Sequence, residues 1–389
     1  MVRVGIETLV DTQMEPIAGD RVGLITNPSG VDSELVPTID TLYNHDDVEL
    51  VRLFGPEHGI RGNEQAGVKV DDSVDERTGL PVTSLYGDNR RLEPDMVEDL
   101  DTVVYDMQDI GCRFYTLIYT LAYALEGISE TDTSFVVLDR PNPIAPLAVD
   151  GNRVSPDHES FVGGRRLPIT HGLTVGELAR YFNGEFDLGA DLEVVELEGW
   201  THDTWYDELE LAWVPPSPNM PTLDTATIYP GTCLFEGTTL SEGRGTTKPF
   251  ELIGAPWVDA EEWAATLNDL DVDGCAFRPA YFTPMFSKHE RQDVEGVQIH
   301  VMDRDEIAPV EIGVKMLITA FQLYPESDWV QSNGEHFVDK LAGGRTLRET
   351  ISDVDPNESA DDVYDRLDRR WDEEREAFAD LLDDYTLYQ

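Results

Sequence analysis

Lysine is nearly absent from this 389-residue chain: Lys69, Lys248, Lys288, Lys315 and Lys340 are the only five. Basic residues number 28 against 78 acids, for a formal net charge of −50. No basic stripe exists to neutralise phosphates, which excludes nucleic acid and anionic membranes as partners. The acids are spread along the whole length rather than gathered in a tail, so they read as a solvation device. Such a surface repels itself at low salt and is relieved by screening at molar salt. That pattern predicts a cytoplasmic protein of a salt-loving organism. Cysteine is scarce as well. Cys112, Cys233 and Cys275 stand apart and are odd in number, against a disulfide framework or a thiolate metal site. The opening MVRVGIET has neither the basic nor the apolar region of a signal peptide. No apolar run approaches the roughly 20 residues of a membrane helix. A Gly-x-Gly-x-x-Gly after the first strand, a His-x-x-x-His pair and a Gly-x-Ser-x-Gly elbow are all missing. Their absence argues against a nicotinamide or flavin site, a locally built metal centre and a serine nucleophile.

What is present is a folded composition, 40% hydrophobic, with a strand-then-helix rhythm over the first two hundred residues. Arg21–Thr26, Val48–Phe54, Thr102–Met107, Ser134–Leu138 and Leu192–Leu197 read as strands apolar on both faces. Leu35–Tyr43, Phe114–Gly127 and Thr174–Asn183 read as helices, the last opened by a Thr174/Glu177 capping box. The expectation is an α/β fold, a parallel sheet flanked by helices. The proline-rich segment Trp213–Pro221 breaks regular structure and marks a boundary. Beyond it come a strand at Val297–Met302 and helices at Ala308–Leu323, His336–Ala342 and Asp361–Leu382, a smaller α+β domain. The division predicted is 1–222 and 223–389.

Parallel strands bring their carboxyl ends to one rim, where open α/β sheets put their chemistry. Asn27 follows the first strand, and Glu57, His58 and Arg61 the second, in Phe54-Gly-Pro-Glu-His-Gly-Ile-Arg-Gly62. Gln108, Asp109, Arg113 and Tyr115 follow the third; Asp139, Arg140 and Asn142 the fourth. Asp139 and Asn142 serve equally well as turn formers, whereas Glu57 and His58 are not preferred turn residues. Past the boundary, Phe235–Thr247 gathers Glu236, Glu242, Arg244 and Thr246 among glycines and hydroxyls, a hydrogen-bonding surface suited to a sugar. The same loop also reads as a hairpin with a surface Glu242–Arg244 pair. Tyr119 and Tyr123 lie at helical spacing and read as core. His171 reads as a site residue or as a loop anchor.

Five segments in this order resemble the NamZ family, formerly a family of unknown function. They are Gly55-Pro-Glu-His-Gly59, Asp106-Met-Gln-Asp-Ile-Gly-Cys-Arg-Phe-Tyr-Thr116, Asp139-Arg-Pro-Asn-Pro143, Pro216–Thr222 and Glu236–Thr247. The resemblance implies an exo-acting β-N-acetylmuramidase with a Rossmann-like N-terminal domain, an auxiliary C-terminal domain and an active site in the cleft between them. It implies no metal and no organic cofactor, a small carbohydrate as partner, and Glu57 as the catalytic carboxylate. Glycoside hydrolysis then needs a proton donor and a second group across the bond. Glu57 suits the first role, with His58 orienting it or binding a hydroxyl. Asp109, Glu242 and Tyr115 are open candidates for the second, as is a substrate-assisted route with Asp109 or Asn219 steering the acetamido group. Arg113 and Arg244 suit the lactyl carboxylate of muramic acid by bidentate pairing. Asn27, Arg61, Gln108, Asp139, Arg140, Asn142, Asn219, Glu236 and Thr246 complete the expected binding surface. A non-catalytic amino-sugar binder and a metal-assisted hydrolase are the competing expectations.

Overall fold

The structure, a computed structural model, describes residues 2–57, 59–61, 73–86 and 90–388. In chain order the first part runs α1 (Gly5–Asp11), β1 (Arg21–Thr26), α2 (Thr38–Tyr43), β2 (Glu49–Gly55), β3 (Ser73–Val74) and β4 (Pro81–Ser84). It continues with β5 (Thr102–Asp106), α3 (Leu117–Ile128), β6 (Ser134–Leu138), α4 (Val175–Glu185) and β7 (Leu192–Val195). The sheet order is β3-β4-β2-β1-β5-β6-β7, with β3 antiparallel to β4 and the other neighbours parallel. Counting only the parallel strands, that is the doubly wound order 3-2-1-4-5-6, as the strand-helix rhythm predicts.

The register sorts side chains onto two faces. Leu24 stands beside Leu53 and Val104, and Val104 beside Val136. This set meets Ile6 and Leu9 of α1 and Ile39 and Leu42 of α2. One residue along, Ile25 stands beside Phe54 and Tyr105, and Tyr105 beside Val137. They face α3 and α4. Period-two alternation with both faces apolar is what a sheet covered on both sides requires. The Thr174/Glu177 capping box forms as expected, Thr174 Oγ1 accepting the Glu177 amide at 3.2 Å. α3 begins at Leu117 rather than Phe114, because residues 114–116 are drawn into a cavity wall described below.

The second part comprises α5 (Leu223–Thr232), β8 (Leu252–Ala255), α6 (Ala260–Asn268), β9 (Cys275–Phe282), β10 (Val294–Val301) and α7 (Pro309–Leu323). A short hairpin, β11 (Gln331–Ser332) and β12 (Glu335–His336), precedes α8 (Phe337–Leu341), α9 (Thr346–Ser352) and α10 (Ala360–Tyr385). β8, β10 and β9 form an antiparallel sheet in that order. α5 crosses α7 with backbones in contact, since a Cβ on Gly231 would stand 1.9 Å from the Pro309 carbonyl oxygen. The buried apolar cluster on the α3/α4 face runs without a break into α5, α6 and α7. Among the described residues no helix is long and apolar enough to cross a membrane.

The chain returns at its end. α10 packs on α7 and α4, and the residues after it reach the sheet. Tyr388 donates to Asp139 Oδ2 at 2.6 Å and accepts the Leu197 amide at 2.9 Å. Asp139 also accepts from the Arg140 and Gly176 amides and from Thr174 Oγ1, so it fastens the start of α4. Burial, against the pull of the Tyr388 hydrogen bond, pushes the Asp139 carboxyl from 3.8 up to about 7. A carboxyl raised on folding takes stability away as pH climbs through that window, and a donor to its ionised form returns some of it. Tyr388→Phe should therefore cost about 1–3 kcal/mol, the deficit growing as pH rises through about 7. Denaturant titrations of both proteins on either side of that pH check the size and the sign.

Candidate active site

The six-strand order puts a topological switch between β1 and β5, where doubly wound folds hold ligands. Here protein fills that crevice. Arg140 donates to Asp106 Oδ1 at 2.5 Å and Oδ2 at 2.9 Å, with Asp106 fully buried. Asn27 accepts the Ser29 amide at 2.9 Å and donates to the Pro216 carbonyl at 3.2 Å. The Gln108 amide donates to Ser29 Oγ at 3.0 Å. The space left beside Ser29, Gln108 and Arg140 is about 10 Å³.

The main cavity, about 770 Å³, opens instead beyond β2 and β4. Its floor is apolar: Phe114, Met220, Tyr229 and Phe250. Polar groups stand on the walls: Glu57, Tyr115, Thr116 and Asn219 from one side of the proline-rich boundary, Glu236 and Arg244 from beyond it. The rim carries Tyr86, Arg90, Phe161, Phe286 and Lys340. Gly55 pairs with Ser84, and the Leu85 amide donates to the Gly55 carbonyl at 2.8 Å. The chain after β2, with Glu57, and the chain after β4, with Tyr86, thus leave the sheet side by side. Thr116, at the N-cap position of α3, spends its hydroxyl on Glu57 Oε2 at 2.6 Å instead of capping its own helix.

Tyr115 reaches the cavity through a forced turn. Asp109 Oδ2 accepts the Gly111 amide at 2.8 Å, and Gly111 has φ +75°, where a Cβ would stand 2.3 Å from Asn142 Oδ1. A side chain is excluded there on both counts. The Arg113 amide then donates to the Ile169 carbonyl at 2.9 Å. Burial first, then the charges of Asp109 and Glu57, raise the Tyr115 hydroxyl well above its usual range, so it is a neutral donor near pH 7. It lies beside Ser217 but outside hydrogen-bonding geometry, and both the Tyr115 hydroxyl and Asn219 Nδ2 are buried without a partner. Buried donors are costly when unpaired, so a pair lining a cavity marks where a ligand's acceptors belong. Across from them Arg244 lies 2.7 Å from Glu236 Oε1 and 3.4 Å from Glu242 Oε1, its guanidinium over Phe250. Burial alone would lower its pKa, but the two carboxylates outweigh that and raise it.

An apolar-floored cleft with one carboxylate bonded to a hydroxyl and spare amide and phenol donors suits a neutral or amide-bearing sugar. Family comparison decides among such ligands. The model described as exo-beta-N-acetylmuramidase NamZ, N-terminal, matches residues 22–224, and its C-terminal counterpart matches 227–388. The chain belongs to the NamZ family. It is 45% identical over 377 residues to the peptidoglycan beta-N-acetylmuramidase NamZ of Bacillus subtilis strain 168, covering 97% of this chain and 91% of that one. A DUF1343 family protein of Bacteroides fragilis NCTC 9343 superposes with a TM-score of 0.90 at 39% identity, over 100% of this chain and 99% of the other. A second from the same strain gives 0.76 at 29% identity, with the same coverage.

Within this NamZ chain the structure brings together Glu57, Tyr115, Asn219, Glu236 and Arg244 of the residues singled out from the sequence. His58 lies outside the described residues. Asp109 sits behind Tyr115, its Oδ2 3.2 Å from His171 Nε2, while His171 Nδ1 accepts the Leu173 amide. His171 is thus a loop anchor. Glu242 is held between Arg244 and Lys288, whose Nζ is 2.9 Å away, and does not line the cavity. Thr246 closes its own turn on the Gly243 carbonyl at 2.6 Å. Arg61 forks onto Asp75, and Asn142 bonds the Ile144 amide and Leu173 carbonyl. With Asn27, Gln108, Asp139 and Arg140 already committed to backbone and to each other, these strand-end groups build the rim's framework, not the cleft lining.

Arg113 needs the clearest correction. Its guanidinium is fully buried and bonds carbonyls of Asn152, Leu167 and Leu341, the last at 2.8 Å. Burial pulls its pKa down to about 10, leaving a cation near neutral pH. Asn152 adds a bond to the Ala342 carbonyl at 2.7 Å, so the two side chains satisfy carbonyls at the end of α8, where helices leave them open. α8 in turn supplies Phe337, Lys340 and Leu341 to the cavity wall. The sequence offered no signal for Tyr86, Arg90, Phe161 or Phe286, which sit in loops without a motif. Arg113→Met should lower unfolding free energy by about 3 kcal/mol through the stranded carbonyls. An unchanged denaturant midpoint would return Arg113 to the ligand-binding candidates.

Proposed function

We propose that this chain removes a terminal β-linked N-acetylmuramic acid from peptidoglycan fragments, in the cleft between residues 1–222 and 223–389, with Glu57 as the proton donor. The observation that carries the reading is the inventory of carboxylates lining the cavity among the described residues: Glu57 and Glu236. Glu236 is engaged by Arg244 at 2.7 Å, and Glu57, whose Oε2 accepts the Thr116 hydroxyl at 2.6 Å, stands in the Gly55-Pro-Glu-His-Gly59 element that resembles the family. The family match and the printed activity of the Bacillus subtilis relative support the substrate class.

The unpaired donors favour a substrate-assisted course. The Tyr115 hydroxyl and Asn219 amide hold the acetamido group at the anomeric carbon. As Glu57 gives its proton to the glycosidic oxygen, the bond from that oxygen to C1 breaks and the acetamido oxygen bonds C1. The leaving sugar departs as an alcohol. Water then adds to C1, its proton passing to the Glu57 carboxylate, and the acetamide is restored with the β configuration retained. Since Tyr115 is a neutral donor, it positions the amide and does not act as a tyrosinate nucleophile.

Glu57→Gln should abolish release of muramic acid from a muramyl-glucosamine disaccharide, a loss of about 10²- to 10⁴-fold. A 2,4-dinitrophenyl glycoside, whose leaving group needs no proton, should be spared most of that loss at the bond-breaking step. Replacing the substrate's acetyl by trifluoroacetyl should slow the wild type. Equal losses on both leaving groups at the bond-breaking step would remove Glu57 from the acid role, and binding without turnover of any muramide would favour a non-catalytic binder.

A further inference from the structure

Muramic acid differs from glucosamine by a lactyl carboxylate, and a chain of net charge −50 repels such a ligand unless a local cation is available. Among the described residues the cations on the cavity wall are Arg90, Arg244 and Lys340. Arg244 is clasped by Glu236 and Glu242, the latter also paired with Lys288, so its charge is already met within that cluster. Lys340 is 2.9 Å from Glu335. Arg113 is turned away onto backbone carbonyls. Arg90 alone among the cavity-lining cations of the described residues has no carboxylate at salt-bridge distance.

Its setting prepares it for an anion. The guanidinium lies over the Phe161 ring, 4.2 Å from the centroid. Phe161 is itself fixed by stacking on Tyr123 (6.0 Å, 16°) and by Tyr86 at 6.1 Å. A guanidinium stacked on an aromatic face keeps its edge donors free and loses little freedom on binding. Arg90 and Glu57 line the same cavity, so a sugar with its anomeric carbon at Glu57 keeps its ring substituents within reach of that wall. Resting on the function proposed above, we propose that Arg90 receives the lactyl carboxylate and is the residue by which this cleft prefers muramic acid to an uncharged N-acetylated amino sugar.

Calorimetric binding of free N-acetylmuramic acid and of its lactyl carboxamide, to wild type and to Arg90→Gln, tests this without requiring turnover. Wild type should bind the acid more tightly than the amide by about 10- to 100-fold, the range of a charge-assisted fork. Arg90→Gln should bind both equally with an unchanged melting temperature, and Arg90→Lys should keep part of the preference. Equal affinity for acid and amide in the wild type, or a preference that survives Arg90→Gln, overturns the assignment. Turnover of the wild type on the β-N-acetylmuramide is scored separately. If it fails while the acid preference still depends on Arg90, the recognition stands and the hydrolytic reading falls.

Discussion

Asp106 and Arg140 form a buried, two-pronged ion pair at the carboxyl edge of the sheet, in the crevice where the winding of the six parallel strands reverses. Thr38 adds its hydroxyl to the same carboxylate, and Arg140 reaches the Val31 carbonyl at 2.8 Å. One pair therefore ties β5, the start of α2 and the loops after β1 and β6. A buried pair of this kind contributes little net stability against well-packed apolar residues, but losing either partner strands a charge in low dielectric. Its consequence is positional. With the switch-point crevice filled, the main cavity opens further along the rim, beyond β2 and β4. There Glu57 lines the cavity together with Tyr86 and Arg90.

The part of the chain past residue 222 completes the cavity by a different kind of contact. Lys288 bonds the Phe235 and Leu240 carbonyls at 2.7 and 2.9 Å as well as Glu242, and His289 lies 2.8 Å from the Thr239 carbonyl. These hold the β9–β10 loop, with Phe286, against the glycine-rich segment carrying Glu236 and Arg244. Arg113 and Asn152 reach from the other side to the end of α8. Both walls are thus fixed by charged or amide groups bonded to backbone carbonyls, on top of a continuous apolar core. That leaves Tyr115 and Asn219 free of internal partners in a frame that does not collapse onto them, the condition under which preorganised donors are useful to a reaction.

Local features of the fold were legible in the sequence. β1 and β6 fall where short runs apolar on both faces put them, and the α4 capping box forms between the two residues that spell it. Both depend on neighbours within a few positions. The site was legible as a rim, because parallel strands converge, and as five ordered motifs. The roles within it were less so. Arg113, Asp139 and Arg140 look in sequence like Glu57 does, polar groups after a strand, yet three of the four are consumed by backbone and by each other. Whether a guanidinium meets a ligand or a carbonyl more than two hundred residues away is decided by tertiary contacts that no local spacing encodes. For the same reason Arg90 and Phe161, meeting across two loops, carried no readable pattern.

Tyr388 bonds a carboxylate 249 residues earlier in the chain. Asp139 lies at the corner where β6 hands over to α4; three of its donors come from the first part of the chain and the fourth from Tyr388. During synthesis the first part emerges with that corner unfinished, and the closing of so long a loop is slow by its chain entropy. Full stability of the sheet then waits until residue 388 has been made and has reached it. Assembly of the first part is thereby coupled to a residue made after the whole of the second: a corner formed early is sealed late.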